Sequence, residues 1–297
     1  MTAADSQFPI EKRMDVRADL ALNVRHWPGD GVAFVLLHGL ASNARTWDGV
    51  AHALTQAGHA VYAVDQRGHG LSDKPADGYD FATVTEDLSL LLDALQLDSP
   101  IVAGQSWGGN VVLAFGAHYP KRARGLGFVD GGFLDLQSRP ENTWERVSVD
   151  LRPPNLVGAP AADLRQRLRT YHPDWTDAGV EATLNNFEIL PDGTIRPRLT
   201  LERHMQILRA LWEQRPGDLY GKVSALVVIC PATSAPPVDR TQTHPGRCRR
   251  GCAGPCPRPL VRGDRPRHPR AEAGRAGGGD GGGIAAGYLA KKVSRGA

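Results

Sequence analysis

The stretch PIVAGQSWGGNVVLAFGAHYP, residues 100–120, decides the fold. A short apolar run, residues 101–103, leads into a glycine-bracketed turn around Ser106. After the turn, apolar residues recur with helical spacing up to Pro120, which cannot continue a helix. The stretch therefore predicts a strand, a sharp turn and a helix, with a single hydroxyl group at the turn.

The chain on either side of this stretch extends the same alternation. Short apolar runs alternate with amphipathic stretches, a pattern typical of a mostly parallel sheet with helical crossovers. We expect two antiparallel strands within residues 13–28, further strands at 32–37, 60–64 and 126–129, and helices at 46–58 and 83–97.

Composition changes divide the chain into four parts. Residues 12–133 form the first part of the core, and residues 134–221 are polar and helix-prone, which predicts an inserted helical cap. Residues 222–239 return to the core with the strand SALVVIC and its following loop, and residues 240–297 form an irregular Arg/Pro/Gly-rich tail, predicted to be disordered. The predicted fold class is α/β, a mostly parallel sheet flanked by helices, with a helical cap and an irregular C-terminal tail.

The charge is distributed unevenly. Residues 240–297 hold 13 Lys and Arg against 3 Asp and Glu, so the rest of the chain carries 22 − 29 = −7. The acidic body, and a tail without interleaved aromatic residues, argue against nucleic-acid binding. No run of about 18 apolar residues or apolar signal core is present, so we expect a cytoplasmic protein without a membrane partner. The sequence does not predict the oligomeric state.

The cysteines indicate neither a disulfide framework nor a metal site. Cys248, Cys252 and Cys256 have a C-x₃-C-x₃-C spacing that matches no common zinc pattern, and Cys230 lies apart from them. We therefore predict no metal and no organic cofactor.

Candidate catalytic groups surround Ser106. Gly104 to Gly108 match G-x-S-x-G, in which residues without Cβ let a strand and a helix approach closely around a strained serine. Backbone N–H groups of Leu40 and Trp107 are candidates for holding a carbonyl oxygen as it becomes negative. Losing one such donor costs roughly 3 to 4 kcal/mol of transition-state stabilisation.

Three motifs in order carry a family resemblance: HG at 38–39, D-x-R-G-x-G at 65–70 and G-x-S-x-G at 104–108. Together they resemble the α/β-hydrolase family over residues 12–232. The resemblance implies a serine, acid and histidine triad in that chain order, and a serine hydrolase that cleaves a small ester, amide or similar carbonyl substrate through an acyl-enzyme on Ser106. The fold hosts other chemistries as well.

The acid and the base of the implied triad are less clearly placed. Asp130 ends the strand after the nucleophile helix, and we favour it over Asp239 as the acid. The candidate bases are His244 and His268, which lie in Arg/Pro-rich sequence with no strand before them. The alternative is a catalytically impaired scaffold or a ligand-binding pseudoenzyme that lacks its histidine.

The tail itself suggests why the histidine is hard to find. Arg, Pro, Gly and Ala have GC-rich codons, so a GC-rich gene that is translated out of frame yields this mixture. When the codons of residues 262–269 are shifted by one base, they permit EETDHDIH, and continuing through residue 277 permits AQRPAELA. These strings resemble the family's histidine loop and its last amphipathic helix. We hypothesise that the chain departs from its ancestral reading frame between residues 238 and 246.

Overall fold

A computed structural model of the chain describes residues 8–232. The main sheet contains seven strands: β1 (Ile10–Arg17), β2 (Leu20–Trp27), β3 (Gly31–Leu37), β4 (His59–Val64), β5 (Ile101–Gln105), β6 (Gly125–Val129) and β9 (Leu226–Cys230). They lie in the order β1-β2-β4-β3-β5-β6-β9. Strands β1, β2 and β4 pair in antiparallel fashion, and the other pairs are parallel. The predicted α/β class with a mostly parallel sheet is thus confirmed, whereas the predicted irregular tail, residues 240–297, lies outside the described residues.

The parallel strands place their carboxyl ends at one edge of the sheet. The loops after β3, β4, β5 and β6 therefore lie together, and ligands of open α/β sheets bind at this edge. Strand β5 lies between β3 and β6, so the turn that contains Ser106 stands in the middle of this edge.

Helices follow the strands closely. A 3-10 helix (Ala44–Trp47) leads into α1 (Asp48–Gln56), and α2 (Phe81–Ala94) and α3 (Trp107–His118) complete the core. Helix α2 begins two residues before its predicted start, because the Asp80 side chain accepts a hydrogen bond from Thr83 N and caps it. In the described part of the chain, no helix is both long and apolar enough to span a membrane.

Both faces of the sheet are covered by apolar side chains. Along β3, Val35 and Leu37 join the cluster that also contains residues of α2 and α3, whereas Leu36 joins the cluster on the α1 side. Helix α3 is buried from Trp107 to Gly116. The helix that follows Ser106 is therefore held in position by close packing against the core.

The segment 134–221, named the insertion, lies between β6 and β9. It holds helices α4 (Trp144–Asp150), α5 (Ala161–Tyr171), α6 (Asp177–Leu184), α7 (Leu201–Glu213) and α8 (Gly217–Tyr220), with a hairpin of β7 (Phe187–Ile189) and β8 (Ile195–Pro197). The sequence interpretation expected helices only. The hairpin forms around a Pro-Asp-Gly turn, in which Gly193 has φ +82° and Asp192 accepts hydrogen bonds from Thr194.

Strand β9 contrasts with the other parallel strands in its exposure. Its one neighbour among the described residues is β6. Leu226 and Val228 are each 57% exposed, and Ile229 is 56% exposed. A flat apolar edge of this kind is normally covered or paired in a folded protein.

Candidate active site

Ser106 occupies the sharp turn that the sequence predicts between β5 and α3. Its φ is +53°, a strained value for a residue with a side chain, and it is 3% exposed. The turn is held in place because Ser106 N–H donates to Val129 O at 2.9 Å. Within residues 8–232, the Ser106 hydroxyl makes no hydrogen bond.

The glycines around Ser106 are required by close backbone approach. A Cβ at Gly104 would overlap the backbone of Gly108, and a Cβ at Gly108 would lie 2.5 Å from His38 O. A Cβ at Gly131 would overlap Ser106 O. The G-x-S-x-G pattern thus reflects a crowded junction of three loops.

The loop after β3 reaches the same junction. A Cβ at Gly39 would lie 3.3 Å from Ser106 Cβ, so the Gly39–Leu40 peptide is next to the serine. Leu40 and Trp107 are both buried. Neither of their N–H groups donates to another described residue, which leaves both free for a ligand oxygen.

Asp130 lies on the other side of Ser106. It follows β6 with φ +47°, and its N–H donates to Cys230 O at 2.8 Å. Its carboxylate accepts a hydrogen bond from Ala232 N at 3.4 Å. The contact between Gly131 and Ser106 brings this loop to the site. Asp239, His244 and His268, the other sequence-predicted candidates, lie outside the described residues.

Two buried histidines near the site have both ring nitrogens occupied. His38 Nδ1 lies 2.7 Å from Gly39 O, and its Nε2 accepts from Gln66 N at 3.1 Å. His69 Nδ1 lies 2.9 Å from Arg67 O, and its Nε2 accepts from Ala41 N at 3.2 Å. Burial lowers the pKa of both rings, so both are neutral. These contacts make them supports of the loops rather than bases for Ser106.

A buried acidic group organises the loops after β3 and β4. Asp65 accepts hydrogen bonds from Ala44 N at 2.7 Å, Leu71 N at 2.9 Å and Asn23 Nδ2 at 3.0 Å. No side chain fits at Gly70, because it would overlap this carboxylate. The D-x-R-G-x-G motif therefore shapes the loop beside the serine.

A buried ion pair fixes the same loop to helix α2. Arg67 donates to both carboxylate oxygens of Asp87, at 2.7 and 3.0 Å. Both side chains are almost completely buried. Because a buried charge without its partner is costly, this pair ties the loop to a single position.

The insertion contacts the core at both ends of α7. Gln214, just after the helix, accepts a hydrogen bond from Asn110 Nδ2 at 2.6 Å, and Asn110 lies one helical turn after Ser106. Asn110 Oδ1 in turn accepts from Gly132 N at 2.9 Å. At its other end, Arg203 donates to Lys74 O at 2.7 Å. Helix α7 thus extends from the loop after β4 to the start of α3.

The buried face of α7 carries His204. It shares this face with Ile207, Leu208 and Leu211, at helical spacing. His204 Nε2 lies 3.3 Å from Leu151 O, while its Nδ1 is buried without a partner among the described residues. Burial lowers the pKa of His204 to about 4, so the ring is neutral.

Sequence reasoning missed Asn110, Gln214, Arg203 and His204 as residues around the site. The apolar repeat of α7 is visible in the sequence, and a histidine within such a repeat was the available signal for His204. The partners of Asn110 and Arg203 lie more than 100 residues away in sequence, so no local sequence pattern predicts these contacts.

Comparison with known proteins agrees with the fold. A model of the alpha/beta hydrolase fold family matches residues 32–186, slightly more than half of the chain. A 2-(acetamidomethylene)succinate hydrolase from Mesorhizobium japonicum is 35% identical over 130 residues, which cover 43% of this chain and 46% of that protein. A non-heme chloroperoxidase from Streptomyces lividans is 38% identical over 88 residues, 30% of this chain and 32% of that protein. The chain thus spans less than half the length of these curated relatives.

Solved structures extend the similarity over more of the chain. The crystal structure of an E-2-(acetamidomethylene)succinate hydrolase has a TM-score of 0.60 and 25% identity, and the match covers 74% of this chain and 80% of that one. A thioesterase domain from the curacin biosynthetic pathway has a TM-score of 0.61 at 16% identity, covering 74% and 82%, which shows the fold alone. On the family model and the shared sheet, this chain belongs to the α/β-hydrolase fold family.

Proposed function

We propose that the protein is built as a serine hydrolase in which Ser106 attacks the carbonyl carbon of a small ester or amide. The observation that carries this proposal is the strained turn at Ser106, whose hydroxyl makes no hydrogen bond within residues 8–232 and lies beside the N–H groups of Leu40 and Trp107, which donate to no other residue there. A serine hydroxyl is a weak nucleophile by itself and needs an adjacent base. The similarity to proteins named as hydrolases supports the same reaction class.

The proposed reaction has two halves. Ser106 Oγ adds to the carbonyl while a base takes its proton, and the Leu40 and Trp107 N–H groups stabilise the oxyanion. The leaving group departs with that proton, leaving an acyl-enzyme, and water then releases the acid product. Asp130 is the proposed residue that orients the base, and the insertion is the proposed cap over the substrate.

We infer that the base was encoded in a reading frame that the present tail has lost. His268 and His244 are outside the described residues, and neither follows a predicted strand. The exposed apolar side chains of β9 support the inference, because an in-frame strand and helix would cover such an edge. Resequencing the gene tests it: the written tail, found unchanged in independent isolates, would contradict the frameshift.

A catalytically impaired scaffold is the second candidate. It is favoured by one observation: no histidine within residues 8–232 donates to or accepts from the Ser106 hydroxyl. Such a protein would bind a small ligand under the insertion without turning it over.

Labelling with a fluorophosphonate probe separates the two candidates. The probe is applied to the chain as written, to a version with a frame-corrected C-terminus, and to Ser106→Ala in each background. Labelling that depends on Ser106 and is strong only in the frame-corrected protein supports both the nucleophile and the lost base. No Ser106-dependent labelling in either background would rule out the hydrolase proposal.

A further inference from the structure

Basic side chains converge where the insertion meets the loop after β4. Arg203 donates to Lys74 O at 2.7 Å and to Pro75 O at 2.8 Å, and the same guanidinium donates to Thr200 Oγ1 at 3.1 Å. One side chain therefore joins the start of α7 to this loop. Arg198, two residues before Thr200, is close enough to this loop for its charge to act on Lys74.

Lys74 makes no hydrogen bond or ion pair with a carboxylate in the described part of the chain, although the charges of Asp65, Asp73 and Glu188 act on it. Its half-buried ammonium donates to Gly70 O at 2.9 Å and Ser72 O at 2.6 Å, both of them backbone carbonyls. Burial, and then the charge of Arg198, lower the pKa of Lys74. An ammonium has three N–H groups, so one remains free for a ligand.

The Arg198 guanidinium is half-buried and makes no hydrogen bond or ion pair with residues 8–232. Its backbone is fixed, since Arg198 N–H donates to Asn186 O at 2.9 Å. The Asn186 side chain accepts from Asn43 Nδ2 at 2.5 Å, in the loop after β3. The carboxylate of Glu188 also interacts electrostatically with Arg198, but it is paired with Arg196 at 2.5 Å. The Arg198 charge is thus left without a dedicated counter-ion.

This cationic cluster borders the candidate active site. Lys74 interacts electrostatically with His69. The His69 ring stacks on Trp107 with 5.4 Å between ring centroids, and Trp107 is the residue after Ser106. Asn43, which anchors Asn186, belongs to the loop that also contains Leu40. Lys74 therefore lies in the loop after β4, and Arg198 follows the β7–β8 hairpin, whose Asn186 contacts the loop after β3.

We propose that Lys74 and Arg198 bind a carboxylate group of the substrate, so that the protein selects acyl substrates with a free acid. The inference rests on the proposed hydrolase function in so far as it treats the bound acid as a substrate. Binding of the carboxylate does not depend on that function. The carboxylate would accept from the free Lys74 N–H and from the planar fork of Arg198. Hydrogen bonds between charged groups are stronger than those between neutral groups, and the planar guanidinium of arginine matches the geometry of a planar carboxylate.

Titration calorimetry of the full chain with disodium succinate tests the site. Dimethyl succinate serves as the uncharged analogue and inorganic phosphate as the competing anion, all at constant ionic strength. We expect succinate to bind, and Lys74→Met and Arg198→Gln each to weaken binding about tenfold or more. The control Arg146→Gln removes an exposed arginine of α4 and is expected to bind succinate as the wild type does.

Three results would overturn the proposal: no succinate binding by the folded wild type, equal binding by Arg198→Gln, or tighter binding of phosphate or of the diester. Arg198→Gln is the decisive variant because its side chain makes no hydrogen bond or ion pair within residues 8–232 that the substitution would remove. Succinate titration of Ser106→Ala separates this inference from the proposed function. Binding there supports the carboxylate site even if the wild type is never labelled at Ser106, whereas labelling without succinate binding contradicts the carboxylate site alone.

Discussion

Strands β5 and β9 are both five-residue, mostly apolar strands, but their surroundings are opposite. IVAGQ in β5 and LVVIC in β9 are both short apolar runs that end at the carboxyl edge of the same sheet. Val102 in β5 is completely buried, whereas Val228 in β9 is 57% exposed. The burial of a strand is therefore set by its neighbours and not by its own composition.

The same contrast divides the candidate site. The loops after β3, β4 and β5 are packed and held by buried hydrogen bonds such as those of the Asp65 carboxylate, and the N–H groups of Leu40 and Trp107 beside Ser106 donate to no other residue within 8–232. The chain beyond β9 should supply the base, and there the described residues end. One half of the proposed machinery, Ser106 with its neighbouring N–H groups, lies within residues 8–232; the other half is represented there by the proposed acid, Asp130, which contacts no histidine among those residues.

Completing the second half should produce the largest effect. We expect the frame-corrected chain to hydrolyse p-nitrophenyl acetate with a kcat on the order of 10⁶ above that of the written chain, because loss of the base in comparable triads costs about that much. Steady-state kinetics check the ratio, and Ser106→Ala in the frame-corrected chain is the control. Equal turnover by the written and corrected chains would show that the base lies elsewhere.

A matched pair of lysine substitutions tests the contrast between the strands directly. Val102→Lys places a charge in the centre of the sheet without a partner, and we expect it to lower the free energy of unfolding by at least about 3 kcal/mol. Val228→Lys should change it by no more than about 0.5 kcal/mol, since the side chain reaches water. Urea unfolding measures both. A large loss for Val228→Lys would mean that another part of the protein covers β9.

The fold could be predicted well because it depends on local patterns. The G-x-S-x-G turn, the apolar strands and the proline-ended helix are each readable within about 20 residues, and the glycines mark backbone contacts that only a residue without Cβ permits. The hairpin within the insertion was missed because its helical surroundings outweighed a Pro-Asp-Gly turn signal.

The geometry around the site could not be predicted because it depends on distant pairs. Arg203 with Lys74 and Gln214 with Asn110 connect the insertion to the core across more than 100 residues. A single sequence contains periodicity and motifs but no record of which distant polar groups meet. That the Arg198 side chain makes no hydrogen bond or ion pair within residues 8–232 could be recognised only from the structure.

The smallest expected effect comes from the buried imidazole of His204 in α7, which lies in the insertion and, like β5, is buried. The pKa of His204 is lowered by burial to about 4 from an ordinary 6.5, so between these pH values the unfolded chain binds a proton that the folded protein does not. The free energy of unfolding should therefore fall as the pH falls through this window, and His204 contributes roughly 2 kcal/mol of that loss between pH 7 and pH 5.

His204→Gln retains a donor for Leu151 O but cannot titrate, so urea unfolding at the two pH values should show a shallower loss in this variant. His52→Gln, which removes a partly exposed imidazole from α1, is the matched control and should retain the full loss. If both variants lose as much as the wild type, then His204 is open to water and the insertion is not packed on the core as the contacts of α7 indicate.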